Sequence, residues 1–248
     1  MPHLTQLLRR SGWLTAILLL PCPNLAADEV TCTFDVDDEG WTVSGNASGP
    51  VIWIASGGNP DGCIKVNDSV VGGVMYFTAP AIFHGDRSCS YGLALTFDLK
   101  QTITGSPNQF NTVDLYLGGG GITVAYDLSQ NPPIGSWGSF QVPLVETGWR
   151  IGSLSGAPAT KENMMQVLGS LSDLRIRAEY QTGGDTDYLD NVVFPLGPSP
   201  DLNADGHVDA ADLALLLGAW GTPSPGDLTC DGVVAADDLA VLLGAWTG

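Results

Sequence analysis

The stretch LALTFDL (residues 93–99) sets Leu93, Leu95, Phe97 and Leu99 on one side of an extended chain and Ala94, Thr96 and Asp98 on the other. Apolar residues at every second position mark a strand with one face on a core. GITVAYDL (121–128) repeats the alternation. Further strand-like runs stand at VIWI (51–54), GVMYFTA (73–79), TVDLYL (112–117), FQVPLV (140–145), LRIRAEY (174–180) and NVVF (191–194). Glycine, proline, asparagine and aspartate separate them, so they read as short strands joined by turns, which predicts a mainly β, antiparallel sandwich. The GGGG run (118–121) joins two of these runs and leads into no helix with Lys and Ser or Thr. It reads as a hairpin connection and not as a phosphate loop. One helix is expected within PATKENMMQVLGSL (158–171), with Thr160 as N-cap, Glu162 in the first turn, and Met164, Val167, Leu168 and Leu171 on one apolar face.

Residues 1–27 read as a secretory signal peptide, with Arg9 and Arg10 at the basic start, an apolar run from Trp13 to Leu20, and small residues at Ala26 and Ala27. That run is shorter than the roughly 20 residues a bilayer requires, and no later segment is longer, so the expectation is a secreted chain with no transmembrane segment. Without the two leader arginines, nine basic residues fall to seven against 27 acidic ones, a net charge of −20. Nucleic acid is thereby excluded as a partner, because phosphate contacts need a basic face. An exported chain permits disulfides. Of Cys32, Cys63, Cys89 and Cys230, the pair Cys63–Cys89 is the expected bridge, both lying in one domain, with Cys230 left to pair with Cys32 or stay free. No CxxC or Cys/His cluster points to zinc.

The turn-rich PLGPSP (195–200) reads as a linker between a domain over residues 28–194 and a second over 201–248. From residue 198 onward there are eight aspartates and no lysine or arginine. The sequence DLNADGHVDAADLALLLGAWG recurs 26 residues later as DLTCDGVVAADDLAVLLGAWT, identical at 14 of 21 positions. In a calcium loop, oxygen ligands come from places one, three, five, seven, nine and twelve, with glycine at six for the turn. Asp201, Asn203, Asp205, the carbonyl of His207, Asp209 and Asp212 fill these places in the first copy; Asp227, Thr229, Asp231, the carbonyl of Val233 and Asp238 do so in the second. Ala235 leaves the ninth place of the second loop without a side-chain ligand, so water and a weaker site are expected there. Crowded carboxylates repel one another unless a cation sits among them, and Ca2+ takes six to eight oxygens in such flexible cages. The leucines and tryptophan after each loop, at helical spacing, predict two short helices packed about a pseudo-twofold relation.

Two loop-helix copies with aspartate at the twelfth place resemble a type I dockerin domain, a small all-α calcium-binding module. The resemblance implies docking onto a cohesin-like scaffold or surface protein, and a bacterial exterior. It departs from the family where Ala210 and Ala211, then Ala236 and Asp237, replace the hydroxyl pair many dockerins use for cohesin recognition. In the first domain, EGWTVSGN (39–46), GGNPDGCIKVND (57–68), APAIFHGDRSCSYG (79–92), ATKENMMQVLGSLSDLRIRAEY (159–180) and DYLDNVVF (187–194) resemble the laminin B (laminin IV type A) domain. That resemblance implies a galactose-binding-like jelly roll with no general catalytic activity, serving recognition or cell adhesion, with polysaccharide as a candidate ligand. Asp190, with Asp35 or Asp37, is a candidate for a further calcium in such jelly rolls. The competing reading is a glycoside-acting hydrolase carried by the dockerin. Asp35, Asp37, Asp38, Glu39, Glu179 and Asp190 are its candidate carboxylates, while His84, Asp86 and Ser88 lie too close in sequence to read as a triad. The preferred expectation is non-catalytic.

Overall fold

The computed structural model describes residues 28–69, 72–223 and 226–248; the expected signal peptide lies outside the described residues. Two antiparallel sheets form a sandwich. The first runs β3 (Ile52–Ile54), β4 (Cys63–Asn67), β12 (Asp185–Gly197), β6 (Ala94–Ile103) and β9 (Gly138–Pro143), with β1 (Asp28–Cys32) also paired to β12. The second runs β10 (Arg150–Ile151), β8 (Ile122–Tyr126), β7 (Leu115–Gly119), β11 (Leu171–Arg177), β5 (Met75–Thr78) and β2 (Thr42–Gly45). As the alternation requires, Leu95, Phe97 and Leu99 of β6 point inward and are buried, facing Leu117, Val124, Leu174 and Ile176 of the other sheet within one core. Phe97 stacks on Phe140 of β9 with ring centres 5.8 Å apart. Trp41 and Trp149 are also fully buried, so these two tryptophans serve packing.

Local chemistry sets the connections. The β7–β8 hairpin pairs Gly119 with Ile122, and Gly120 and Gly121 between them have φ of +57° and +81°. Positive φ at both central residues is the twist-compatible hairpin turn, open to glycine at little cost. Helix α1 (Lys161–Leu168) begins where the sequence places it: the Asn163 N–H donates to the Thr160 hydroxyl, and Met164, Val167 and Leu168 are buried. Strand β4 was not apparent from the pattern. Cys63 and Ile64, adjacent and therefore on opposite faces, are both buried, so no alternation shows.

Strand β12 changes partners along its length. Thr186 to Leu189 pair with β4, whereas Val192 to Gly197 pair with β1, and β6 lies alongside both halves. The register shifts between Asp190 and Val193, a bulge that bends the strand where one neighbour ends and the next begins. Because β1 captures Pro195 and Gly197, the strand runs three residues into the stretch expected as linker.

Residues 198–248 contain α2 (Ala210–Gly218) and α3 (Ala236–Gly244). Leu202, Val208 and Leu216 pack with Leu228, Val234 and Leu242, their counterparts 26 positions on, in a separate small core. The two copies clasp reciprocally. The Thr247 N–H donates to the Val208 carbonyl at 3.0 Å, and the Gly221 N–H to the Val234 carbonyl at 2.8 Å.

The expected Cys63–Cys89 bridge is not formed. Cys89 is bonded to Cys230, 141 residues away, while Cys32 and Cys63 are free and buried. Cys63 sits within β4, whereas Cys89 lies in a short 3-10 turn (Ser88–Ser90) beside Gly197 at the exit of β12, where the second repeat loop folds against it. The Cys89–Cys230 Cα separation of 5.2 Å meets disulfide geometry. The bridge therefore ties the sandwich to the second loop, a closure that sequence proximity conceals. Peptide mapping of the unreduced chain should find Cys89 joined to Cys230, with Cys32 and Cys63 alkylated only after unfolding. Replacing Cys89 by Ser should lower the unfolding free energy by about 3 kcal/mol in denaturant titrations.

Candidate functional site

The outward residues of β6, alternating with its core residues, are Ala94, Thr96, Asp98 and Lys100. With Ser139, Gln141 and Pro143 of β9 and Tyr188, Asn191, Val193 and Pro195 of β12 they form the outer face of the first sheet. A groove of about 430 Å³ lies between Thr96, Asp98, Ser139, Gln141, Asn191 and Val193. It shares Gln141 with a second depression of about 660 Å³ lined by Gly92, Leu93, Ala94, Pro143 and Pro195. From Lys100 to Ala94 the face extends about 20 Å at strand spacing, long enough for several sugar rings. At the Lys100 end stands an aromatic pair, its rings inclined at 76°. The Trp137 and Tyr188 rings meet edge-on at 6.3 Å, and Lys100 Nζ lies 4.3 Å and 4.4 Å from their respective centres. The Gly57 carbonyl fixes this end by accepting from Lys100 Nζ at 2.8 Å and from the Trp137 indole at 3.1 Å.

Beside this pair, Asp98 Oδ2 accepts from the side-chain amides of Asn59 (2.9 Å) and Asn191 (2.8 Å). Asn191, at φ +49° in the β12 bulge, also donates to the Asn59 carbonyl at 2.6 Å. Asp190 is fully buried behind them, and its two oxygens accept from the backbone N–H groups of Asn59 and Asn191 at 2.6 and 2.7 Å. Burial pushes the Asp190 carboxyl up to about 6, and the charges of Asp98 and Asp35 add to that shift. Asp35 is thus within electrostatic reach of Asp190, while Asp37 accepts from the Glu39 N–H in a local turn and Glu39 accepts from the Phe34 N–H. Gly58 belongs to this arrangement, because a Cβ there would fall 1.9 Å from the Gly62 carbonyl oxygen and 2.7 Å from Asp190 Oδ2.

The sandwich interior holds a second polar cluster that sequence reading did not assemble. Arg177 and Asp114 form a buried ion pair at 3.2 Å, and Arg177 also donates to the carbonyls of Glu179 and Phe110. Next to them Glu179, Asp185 and Asp187 are buried. Asp185 Oδ2 accepts from the N–H groups of Tyr180 and Gln181, and Gln181 donates its amide to Gln101. Both Asp187 oxygens are buried with no N–H donor among the described residues, and the carboxyl faces that of Asp185. Burial, and then the adjacent Asp185 charge, push the Asp187 carboxyl well above its usual range, and burial with the Asp68 charge pushes Glu179 up to about 7. A carboxyl whose folded pKa is raised contributes stability that is present at low pH and lost as pH rises through that value. Asp187→Asn should therefore stabilise the fold by about 2 kcal/mol at neutral pH. The gain should grow between pH 4 and pH 8 in thermal unfolding, whereas a gain independent of pH would contradict the assignment.

The remaining carboxylates proposed for hydrolysis are scattered. Asp38 accepts from the Gly40 N–H near the start of the chain, and Glu179 lies in the interior cluster, accepting from the Met75 N–H. His84 follows a short turn (Ala81–Phe83), and the Ser88 hydroxyl donates to Asp86 at 2.7 Å, a local interaction.

The two repeat loops share one hydrogen-bond scheme. Asp201 accepts from the N–H groups of Asp205 and Gly206, as Asp227 does from Asp231 and Gly232. Asp205 accepts from the His207 N–H, and Asp231 from the Val233 N–H. Asp212 closes the first loop by accepting from Asn203 and Asp209, and Asp238 closes the second by accepting from Thr229 and Ala235. Asp209 additionally caps α2 through the Ala211 N–H, a role Ala235 cannot play for α3. Gly206 and Gly232 have φ of +90° and +102°, the sharp turns expected at the sixth place. Among the described residues no three His, Cys, Asp or Glu side chains stand gathered as a metal-ligand cluster. Each carboxylate has about four acceptor sites, so one or two N–H contacts leave room for a cation, and the oxygen-only donor set fits calcium. Outside the loops, Leu215, Leu217 and Trp220 are exposed, as are Val241, Leu243 and Trp246, again 26 positions on.

Comparison with known proteins bears on the sandwich. The family described as Laminin B (Domain IV) matches residues 76–203. The basement membrane-specific heparan sulfate proteoglycan core protein of Mus musculus is 32% identical over 106 residues, covering 42% of this chain and 3% of that protein. Laminin subunit gamma-1 of Danio rerio is 30% identical over 175 residues, covering 66% of this chain and 10% of that protein. The matched region is thus a tenth or less of the length of either relative. Among solved structures, the L4b domain of human laminin alpha-2 shares the fold at a TM-score of 0.54 and 13% identity, over 69% of this chain and 98% of that domain.

Proposed function

The chain belongs to the laminin B (Domain IV) family, and from that premise we propose that it is an extracellular, non-catalytic adaptor in two parts. The sandwich binds polysaccharide along the outer face of its first sheet. The repeats over residues 201–248 bind two calcium ions and dock onto a protein partner of the cohesin type. The observation that carries the first part is the groove itself, with the Trp137–Tyr188 pair at one end and Asp98, Asn191, Ser139 and Gln141 along it. Rings that stack and amides or carboxylates that hydrogen-bond hydroxyls are the two contacts a sugar chain requires, and neither calls for a catalytic group. Export is supported by the leader-like start and by the Cys89–Cys230 bridge, which persists in an oxidising compartment.

The second part draws on the matching loops. Asp201, Asn203, Asp205, Asp209 and Asp212 would hold one ion with the His207 carbonyl, and Asp227, Thr229, Asp231 and Asp238 the other with the Val233 carbonyl. Calcium there relieves carboxylate repulsion and, in a core of six buried residues, contributes to folding. The exposed Leu215, Leu217, Trp220 set and its repeat on α3 offer the apolar surface a partner would cover.

Two measurements test this reading on the full chain. Affinity electrophoresis through gels containing polysaccharide should show retardation that Trp137→Ala removes; an unaffected variant would locate binding elsewhere. Equilibrium dialysis should find two calcium ions per chain, the Asp227 loop weaker by about tenfold for want of a ninth-place ligand. Asp201→Asn should remove the tighter ion, and a count unchanged by that substitution would contradict the ligand assignment.

A further inference from the structure

In a chain with 27 acidic residues against nine basic ones, two lysines stand together on the outer face of the first sheet with no carboxylate at ion-pair distance among the described residues, Asp190 acting on Lys100 only from farther off. Lys100 Nζ lies between the Trp137 and Tyr188 rings, and Lys65 Nζ lies 5.9 Å from the same Tyr188 ring. Strand register fixes the cluster, because Tyr188 is paired with Lys65 on one side and Lys100 on the other. Among the described residues the side-chain ion pairs are those of Arg175 with Asp173 and of Arg177 with Asp114. Asp98, two residues from Lys100 on the same face, directs its Oδ2 to the amides of Asn59 and Asn191 instead. Lys100 uses one donor on Gly57, and an ammonium has three.

We propose that the ligand of this groove is an anionic polysaccharide, its carboxylate or sulfate ester held by Lys100 and Lys65 beside the Tyr188 ring. The inference rests on the glycan reading of the groove and adds the charge of the ligand. The net negative charge of the chain does not forbid it. At physiological ionic strength, charges more than about 8 Å away are largely screened, so the local pair of ammonium groups decides. Partial burial lowers the Lys100 pKa, and a bound anion would offset that desolvation.

The test is affinity electrophoresis of the full chain, at constant calcium and at low and high sodium chloride, against four polysaccharides: polygalacturonate, a carrageenan, a mixed-linkage β-glucan and a xylan. The variants are Lys100→Gln, Lys65→Gln and Trp137→Ala, each checked by thermal unfolding; Lys65→Gln serves if Lys100→Gln fails to fold. The expected result is retardation by polygalacturonate or carrageenan, weaker at high salt and reduced about tenfold by either lysine substitution. Which of the two binds identifies the carboxylate or the sulfate ester as the recognised group. If the neutral glucan or xylan binds as tightly, with Trp137→Ala abolishing binding and both lysine variants unaffected, the groove stands and the anionic ligand is overturned. If none of the four is retarded, or if no variant alters retardation, both the groove reading and the inference fall.

Discussion

The fold depends on the pairing of β12. This strand lies at the centre of the first sheet, held by β6 along one side and by β4 and then β1 along the other. The change of partner leaves a gap, and the residue at its edge, Asp190, fills it by accepting backbone N–H groups from Asn59 and Asn191. A buried carboxylate with both oxygens engaged by N–H donors is tolerable where an unpaired one is not. That contact also fixes the loop containing Gly57, whose carbonyl holds Lys100 and Trp137. The core, the bulge and the placing of Lys100 against Trp137 and Tyr188 therefore follow from one arrangement of strands.

The acidity of the chain resolves into separate physical situations. Asp190 and Asp98 are satisfied by amide and backbone donors at the groove. Asp114 is matched by Arg177 in the interior, yet burial still holds its carboxyl up to about 6. Asp187 has only the neighbouring Asp185 carboxyl, and the sandwich carries it as a cost at neutral pH. The repeat aspartates lie in two loops with matching hydrogen bonds, where the proposed calcium would supply the missing charge. Composition alone does not separate these cases; hydrogen-bond partners do.

Legibility in the sequence followed the range of the interactions. Strand β6, the glycine hairpin and the Thr160 cap depend on neighbours a few residues apart, and each was readable. The turns at Gly206 and Gly232 and the starts of α2 and α3 were readable for the same reason, each lying within a twelve-residue repeat. Strand β4 was hidden because Cys63 and Ile64 are both covered, which erases the period of two. The Cys89–Cys230 bridge was misread because nothing local brings those residues together. The cluster beside the groove was invisible for a related reason: Lys65, Lys100, Trp137 and Tyr188 come from four segments and meet only in the folded sheet. Individually they look like ordinary surface residues.

If the proposed function holds, the outer face of the first sheet is where the sandwich binds. Hydrogen–deuterium exchange of the full chain, with and without a saturating polysaccharide that retards it, tests this most directly. Added protection should be confined to residues 94–100, 137–143 and 186–195, with the second sheet unchanged. Protection appearing instead on β5, β7 and β11, or only within the repeats, would contradict it.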